Sequence, residues 1–418
     1  MSKLAVHGGP KAIDRPLGLP WPQYGDEERE ALMSVLDSGK WWRGAYTDAA
    51  AAQSWVSRFE AAFSAYQGAK YAVACTNGTQ AIELALKAVG IKPGDEVIVP
   101  ASTFVATATA VVLVNAIPIV VDIEPATYQM DPAAVEAAIG PRTAGILPVH
   151  YGGYPCDMDR LTDIARRHGL FIIEDCAHAH GTQWRGKGAG TFGAFGTFSF
   201  QMGKNLTCGE GGMVLTDDEE LAAKAFTFHH IGRIAGRPFY EHHIVASNLR
   251  MTEWQGAIGY CQAQRIPEQN ERRNANFRYL EDGLREIPGV EPIEWDPQIV
   301  TRRGCYFYHF KFNSAEFEGL PRSKFVEAMA AEGLSIGSGH LHPIQKNPLF
   351  TNREFGPVCW PAGIEPPDYA KVETPVADRV LAEEGCSLGH SLFLGETSDM
   401  DLILNAVRKV RENVAELL

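Results

Sequence analysis

Along the first half of the chain, short apolar runs alternate with amphipathic stretches. The runs at 71–75, 96–99, 117–121, 146–149, 170–173, 196–200 and 213–216 are bounded by turn-forming residues. Their length and β-branched content suit strands buried on both faces. Between several of them the period lengthens. Residues 81–89 are apolar on most faces and stop at Gly90, and residues 159–168 are amphipathic and stop at Gly169. Glycine ends helices well because it enters the left-handed conformation at little cost. The alternation predicts an α/β fold with a mostly parallel, seven-stranded sheet covered on both faces.

The stretch 97–121 carries no charge and is long enough to cross a bilayer. Pro100 and Pro118 interrupt it, however, and Ser102, Thr103, Thr107, Thr109 and Asn115 are scattered through it. The expected structure is strand, helix, strand. Beyond Trp254 the texture changes. Residues 262–287 predict a long charged helix, 307–312 a strand, 322–332 a helix and 400–418 a closing helix. Residues 347–375, rich in Pro, Gly and aromatics, predict a long ordered loop. The expected organisation is a large domain over 1–265, with an N-terminal arm, and a smaller α+β domain over 266–418.

Composition narrows the partners. The formal charge is −13, from 51 acidic and 38 basic residues, which disfavours nucleic acid. The pairs Arg166-Arg167 and Arg272-Arg273 are too short to form a phosphate-binding face. Eight cysteines contain no CxxC pair, so free thiols in a reducing cytoplasm are expected rather than disulfides or a zinc ribbon. Residues 1–10 have no apolar core of the kind a signal peptide needs.

Three segments could carry chemistry. Thr76-Asn77-Gly78-Thr79-Gln80 follows a predicted strand and opens a helix. Its free N–H groups suit a phosphate, although a plain cap by Asn77, answered by Gln80, is the better account of the segment taken alone. Glu174 and Asp175 end a strong apolar strand, where ligands gather in open α/β sheets. A carboxylate there can hold a ring nitrogen protonated; the alternative is a strand ending in solvated acids. Lys204 follows another strand and precedes Gly209-Glu210-Gly211-Gly212. Its amine can form a Schiff base, or it can be one more surface lysine. In this order, with Lys204 29 positions after Asp175, the three have the layout of a pyridoxal-phosphate site.

The wider sequence resembles the DegT/DnrJ/EryC1/StrS sugar and cyclitol aminotransferases, of fold type I. The matching blocks are TNGT at 76–79, GDEVIVP at 94–100, TFVATATA at 103–110, VDIEPATYQMDP at 121–132 and PVHYGG at 148–153. They continue with IEDCAHAHG at 173–181, FSFQMGK at 198–204, GEGGM at 209–213 and SNLRMTEWQGAIG at 247–259. The resemblance implies pyridoxal 5′-phosphate as cofactor, held by Lys204 as an internal aldimine. It implies that Asp175 pairs with the pyridinium nitrogen and that Phe104 stacks on the ring. Gly78, Thr79 and Ser199 would bind the phosphate. His178, where many relatives carry Gln, would lie near the phenolic oxygen. Asn248 would reach the phosphate of a neighbouring subunit, which implies a homodimer with shared sites; Ser247 stands where many relatives have Gly.

Some relatives are dehydratases with His in place of this lysine, and Lys204 argues against that branch. The implied reaction passes an amino group from L-glutamine or L-glutamate to a cyclic polyhydroxylated ketone, a keto-cyclitol or keto-sugar, by a ping-pong route. Trp41-Trp42-Arg43, His178-Ala179-His180 and the stretches 342–343 and 347–350 look more like the scyllo-inosose and aminohydroxybenzoate-forming relatives than the nucleotide-sugar ones. Trp42, Arg43, His150, His230 and His340 are the expected substrate contacts. Trp42 also suits core or interface packing. No metal site is expected, since the histidines lack HExxH-type spacing. Two rivals stay open: a ring-dehydrating enzyme, and a regulator that keeps the fold without turnover.

Overall fold

The computed structural model describes residues 3–45 and 48–418, so Met1 and Ser2 of the leading segment lie outside it. Seven strands form the central sheet: β1 (Tyr71–Cys75), β2 (Glu96–Pro100), β3 (Ile117–Val121), β4 (Thr143–Ile146), β5 (Phe171–Asp175), β6 (Phe195–Ser199) and β7 (Gly212–Thr216). Their order is β1-β7-β6-β5-β4-β2-β3. All neighbours are parallel except β7, which runs antiparallel to β1 and β6. The uncharged stretch resolves into β2, a helix (Ala106–Leu113) and β3. No helix among the described residues is long and apolar enough to cross a membrane.

Two strands depart from the expected ranges in ways that matter. β4 ends at Ile146, where the apolar pattern places its start. The Leu147 N–H still donates to the Ile98 carbonyl, and the Pro148 carbonyl accepts from Asp175. Pro148 has no N–H to give, so the ladder breaks there. β5 runs through Glu174 and Asp175 instead of stopping at Ile173. Both acids are buried, at 0 % and 5 % exposure, so the solvated strand end considered above does not occur.

Among the described residues, nine helices have eight residues or more. They are α1 (Asp26–Ser38), α2 (Trp55–Gln67), α3 (Gly78–Val89), α4 (Ala106–Leu113), α5 (Met158–His168), α6 (Glu219–His229), α7 (Glu253–Arg285), α8 (Arg322–Ala331) and α9 (Thr397–Glu412). α7 starts nine residues before its expected position at 262. Thr252 and Gln255 form a reciprocal capping box at that start. Gly256 and Gly259 mask the pattern there. They are small because α2 comes close: an added Cβ would lie 2.6 Å from Val56 N and from a Phe59 ring carbon respectively. The expected domain boundary at 265/266 falls inside this continuous helix.

The smaller sheet is antiparallel, β8 (Val290–Pro292), β9 (Phe307–Phe312) and β10 (Gly385–Gly389), in that order. The 347–375 stretch holds a short helix, Pro348–Thr351, and a tight turn, Tyr369–Lys371. It is pinned to the large sheet by the Tyr369 hydroxyl, which donates to the Pro118 carbonyl at 2.8 Å. The eight cysteines are all unpaired.

Candidate functional site

The carboxyl ends of β1, β2, β5 and β6 open onto a cavity of about 780 Å³. This is where loops diverge from a parallel sheet and leave room for a ligand. Gly78 and Thr79 begin α3 on its wall, with Asn77 as cap accepting the Gln80 N–H at 2.9 Å. Ser199, the last residue of β6, faces Gly78. A Cβ at 78 would lie 2.6 Å from the Ser199 Cβ, so only glycine leaves a cradle between them. The helix N-terminus directs unpaired N–H groups into that cradle, a fit for a phosphate.

Asp175 reaches the cavity floor. Its carboxylate accepts from the Ala177 N–H at 3.1 Å and from the Thr107 hydroxyl at 2.8 Å, and Thr107 in turn bonds Thr103 at 2.8 Å. Burial raises the Asp175 pKa, while these donors and the Lys204 charge oppose the rise. Lys204 lies on the facing turn. Burial brings its amine down to about 8, with Asp175 pulling the other way. Its Nζ sits over the Tyr306 ring, 4.4 Å from the centroid.

His178 is buried against Tyr306, ring centroids 4.6 Å apart. Its Nδ1 accepts the Gly152 N–H at 3.3 Å, which leaves the ring proton on Nε2. Burial and the Lys204 charge hold it well below the usual histidine range. His340 lines the same wall and is pulled to about 4, first by burial and then by Lys204. Phe104 is largely exposed at the rim, with His340 6.2 Å away. Among the described residues, Lys204 is the single Lys or Arg of the lining, which also includes Glu83 and Glu210.

Eight expected residues therefore meet at one cavity: Gly78, Thr79, Phe104, Asp175, His178, Ser199, Lys204 and His340. Five do not line it. Trp42, Arg43, His230 and Asn248 gather elsewhere. Trp42 stacks on His230 at 6.4 Å, His230 and Asn248 share a strand-like bridge, and Arg43 pairs with Glu60 at 2.8 Å. His150 requires a correction. It is 0 % exposed and cannot touch a substrate. Its Nδ1 accepts the Cys156 N–H at 3.0 Å, so Nε2 donates to Glu174 at 3.0 Å. Glu174 also accepts from the N–H groups of Gly190, Phe192 and Gly193 at 2.7–3.0 Å. His150, Glu174 and Cys176 bring ligand-type atoms within 4.8 Å of one another, but the lone pairs of Nδ1 and of the carboxylate already serve these donors.

Tyr306 and Thr107 escaped the sequence reading. Thr107 lies in the TFVATATA block and points inward because α4 turns it toward Asp175. Tyr306 had no signal, since it precedes a strand of the smaller sheet and reaches Lys204 only through the tertiary fold.

The family model described as the DegT/DnrJ/EryC1/StrS aminotransferase family matches residues 22–361. The chain is 38 % identical to L-glutamine:scyllo-inosose aminotransferase of Streptomyces griseus, covering 100 % of this chain and 99 % of that protein. It is also 38 % identical to L-glutamine:2-deoxy-scyllo-inosose aminotransferase of Micromonospora echinospora, over 100 % of both. Among solved structures it is similar to 3-amino-5-hydroxybenzoic acid synthase, with a TM-score of 0.81, 35 % identity, and coverage of 94 % and 99 %.

Glu174→Gln tests the buried anchor behind the cavity. However its amide turns, an NH₂ group faces N–H donors that now have no acceptor. Unfolding in urea is expected to show a loss of about 2–4 kcal/mol.

Proposed function

The chain belongs to the DegT/DnrJ/EryC1/StrS aminotransferase family, and we propose that it moves an amino group from L-glutamine to a keto-cyclitol of the scyllo-inosose type. It is a pyridoxal-phosphate-dependent aminotransferase. One observation carries the choice of acceptor. Among the described residues of this chain, the cavity wall offers a single cation, Lys204, against the acids Asp175, Glu83 and Glu210, and its histidines are pushed toward the neutral form. A neutral polyol ketone suits that wall. A nucleotide diphosphate would bring negative charge to a lining with little to neutralise it. The names of the two relatives above point the same way.

The lining fits the cofactor. Gly78, Thr79 and Ser199 would hold its phosphate, Phe104 would cover its ring, and Asp175 would keep its ring nitrogen protonated. When bound, the cofactor supplies an electron sink for the bond-making at the substrate carbon. Lys204 would anchor it and, once released, take and return the substrate proton through its neutral amine. His178 would offer its Nε2–H to the ring oxygen of the cofactor. Thr107 and the Ala177 N–H hold the Asp175 carboxylate in place and oppose the rise in its pKa that burial causes.

The same reading gives Asn248, Trp42, Arg43 and His230 a place. Asn248 is exposed beside a segment that also exposes Phe239, Tyr240 and Val245. These residues would complete the cavity of a second copy. Light scattering is expected to give a dimer mass; a monomer with full activity would exclude shared sites.

Lys204→Ala is expected to abolish transamination and the borohydride-stable cofactor adduct. In the parent protein, the rate at which cofactor-free enzyme captures pyridoxal phosphate should rise about tenfold per pH unit up to about 8, where Lys204 loses its proton, and level off above. A flat profile through pH 6–9 would contradict the assignment. With L-glutamine as donor, scyllo-inosose-type ketones are expected to outcompete nucleotide keto-sugars in a substrate panel. The aminohydroxybenzoate-type alternative rests on the similarity to that synthase. Product mass spectrometry separates them, because transamination keeps every ring hydroxyl and dehydration does not.

A further inference from the structure

Arg273, in the middle of α7, is 0 % exposed, yet among the described residues no acid is a hydrogen-bonding partner. They are Asn270 Oδ1 at 3.0 Å, Gln269 Oε1 at 3.4 Å and His390 Nδ1 at 3.2 Å. Its Nε has no partner among the described residues. Burial pulls the guanidinium down to about 9, which leaves it charged at neutral pH. Burying a cation without a counter-ion is costly, so the fold gives up stability here. The contact with His390 shows what is gained.

A guanidinium only donates. His390 Nδ1 must therefore accept, and the ring proton is fixed on Nε2. That N–H points at the carbonyl of Gly203, 3.1 Å away. Gly203 is the residue before Lys204. The preceding carbonyl, of Met202, accepts from the Trp21 indole N–H at 3.0 Å. Trp21 meets the His390 ring edge-on at 4.5 Å, and the Arg273 guanidinium lies 5.5 Å over Trp21. On the other side of the lysine, Asn205 donates to the Gly304 carbonyl at 3.0 Å. The turn that carries Lys204 is thus gripped by the N-terminal arm, by His390 after β10 with Arg273 of α7 behind it, and by the segment before β9.

We propose that Arg273 and His390 are positioning residues for Lys204. Arg273 locks His390 in the one tautomer that can donate to the Gly203 carbonyl, and that bond aims the lysine at its carbonyl partner. This rests on Lys204 being the cofactor lysine. An arginine is suited to the task because it cannot accept a hydrogen bond, so the histidine cannot flip its roles.

The test uses full-length protein stripped of cofactor. Capture of pyridoxal phosphate is followed by borohydride trapping and peptide mapping, with melting temperature measured alongside. His390→Leu and Arg273→Met are expected to slow capture at Lys204 on the order of 10²-fold, the scale of misplacing a reacting group by about 1 Å. Arg273→Met should melt no lower than the parent, because it removes an unpaired buried charge. His390→Gln, whose amide can donate to Gly203 and accept from Arg273, should recover most of the rate. Capture at the parental rate in either apolar variant would overturn the proposal. So would a folded His390→Gln variant as slow as His390→Leu. If His390→Leu fails to fold, Arg273→Met decides. An adduct mapped to another lysine in the parent would instead overturn the assignment of Lys204.

Discussion

Everything at this site depends on how β5 ends. Successive side chains of a strand point to opposite faces, so the neighbours Glu174 and Asp175 are sent in opposite directions. Glu174 goes into the protein, where three backbone N–H groups and His150 satisfy it. Asp175 goes into the cavity, where Thr107 and the Ala177 N–H hold it. One acid is structural and fully engaged. The other is left free to meet a cation. A one-residue slip of β5 would exchange these roles, and the buried network around Glu174 is what fixes the register.

The electrostatics of the cavity follow from its dryness. Burial lowers Lys204 and the histidines and raises Asp175, so each charged form is disfavoured unless a specific partner supports it. The support is unevenly distributed. Asp175 has hydrogen-bond donors and a lysine opposite; the histidines have only each other and the lysine. The result is one acid and one readily deprotonated amine facing each other, within walls of neutral imidazole and aromatic rings. That arrangement serves proton transfer at a carbon next to nitrogen. It also suits a polyol that is recognised by hydrogen bonds rather than by charge.

Many of the elements could be read from the sequence because apolar period and glycine stops act locally. β1, β3 and β9 have the bounds expected from the pattern, and α5 starts only one residue earlier than expected. The departures occur where packing overrides pattern. Gly256 and Gly259 weaken the helix signal of α7 because α2 needs the space. β5 extends over two charged residues because the tertiary structure supplies partners for both.

The sequence by itself determined the alternation of strands and helices, the helix start at Gly78, and the candidacy of Asp175, His178 and Lys204. Those features depend on residue type and near neighbours. Only the tertiary structure decided that His150 belongs to the core, and that Trp42, Arg43, His230 and Asn248 sit apart from the cavity of their own chain. It also brought Tyr306 beneath the lysine and His390 behind it. Such contacts join residues far apart in the chain, and no local period encodes which distant side chain will fill a given place.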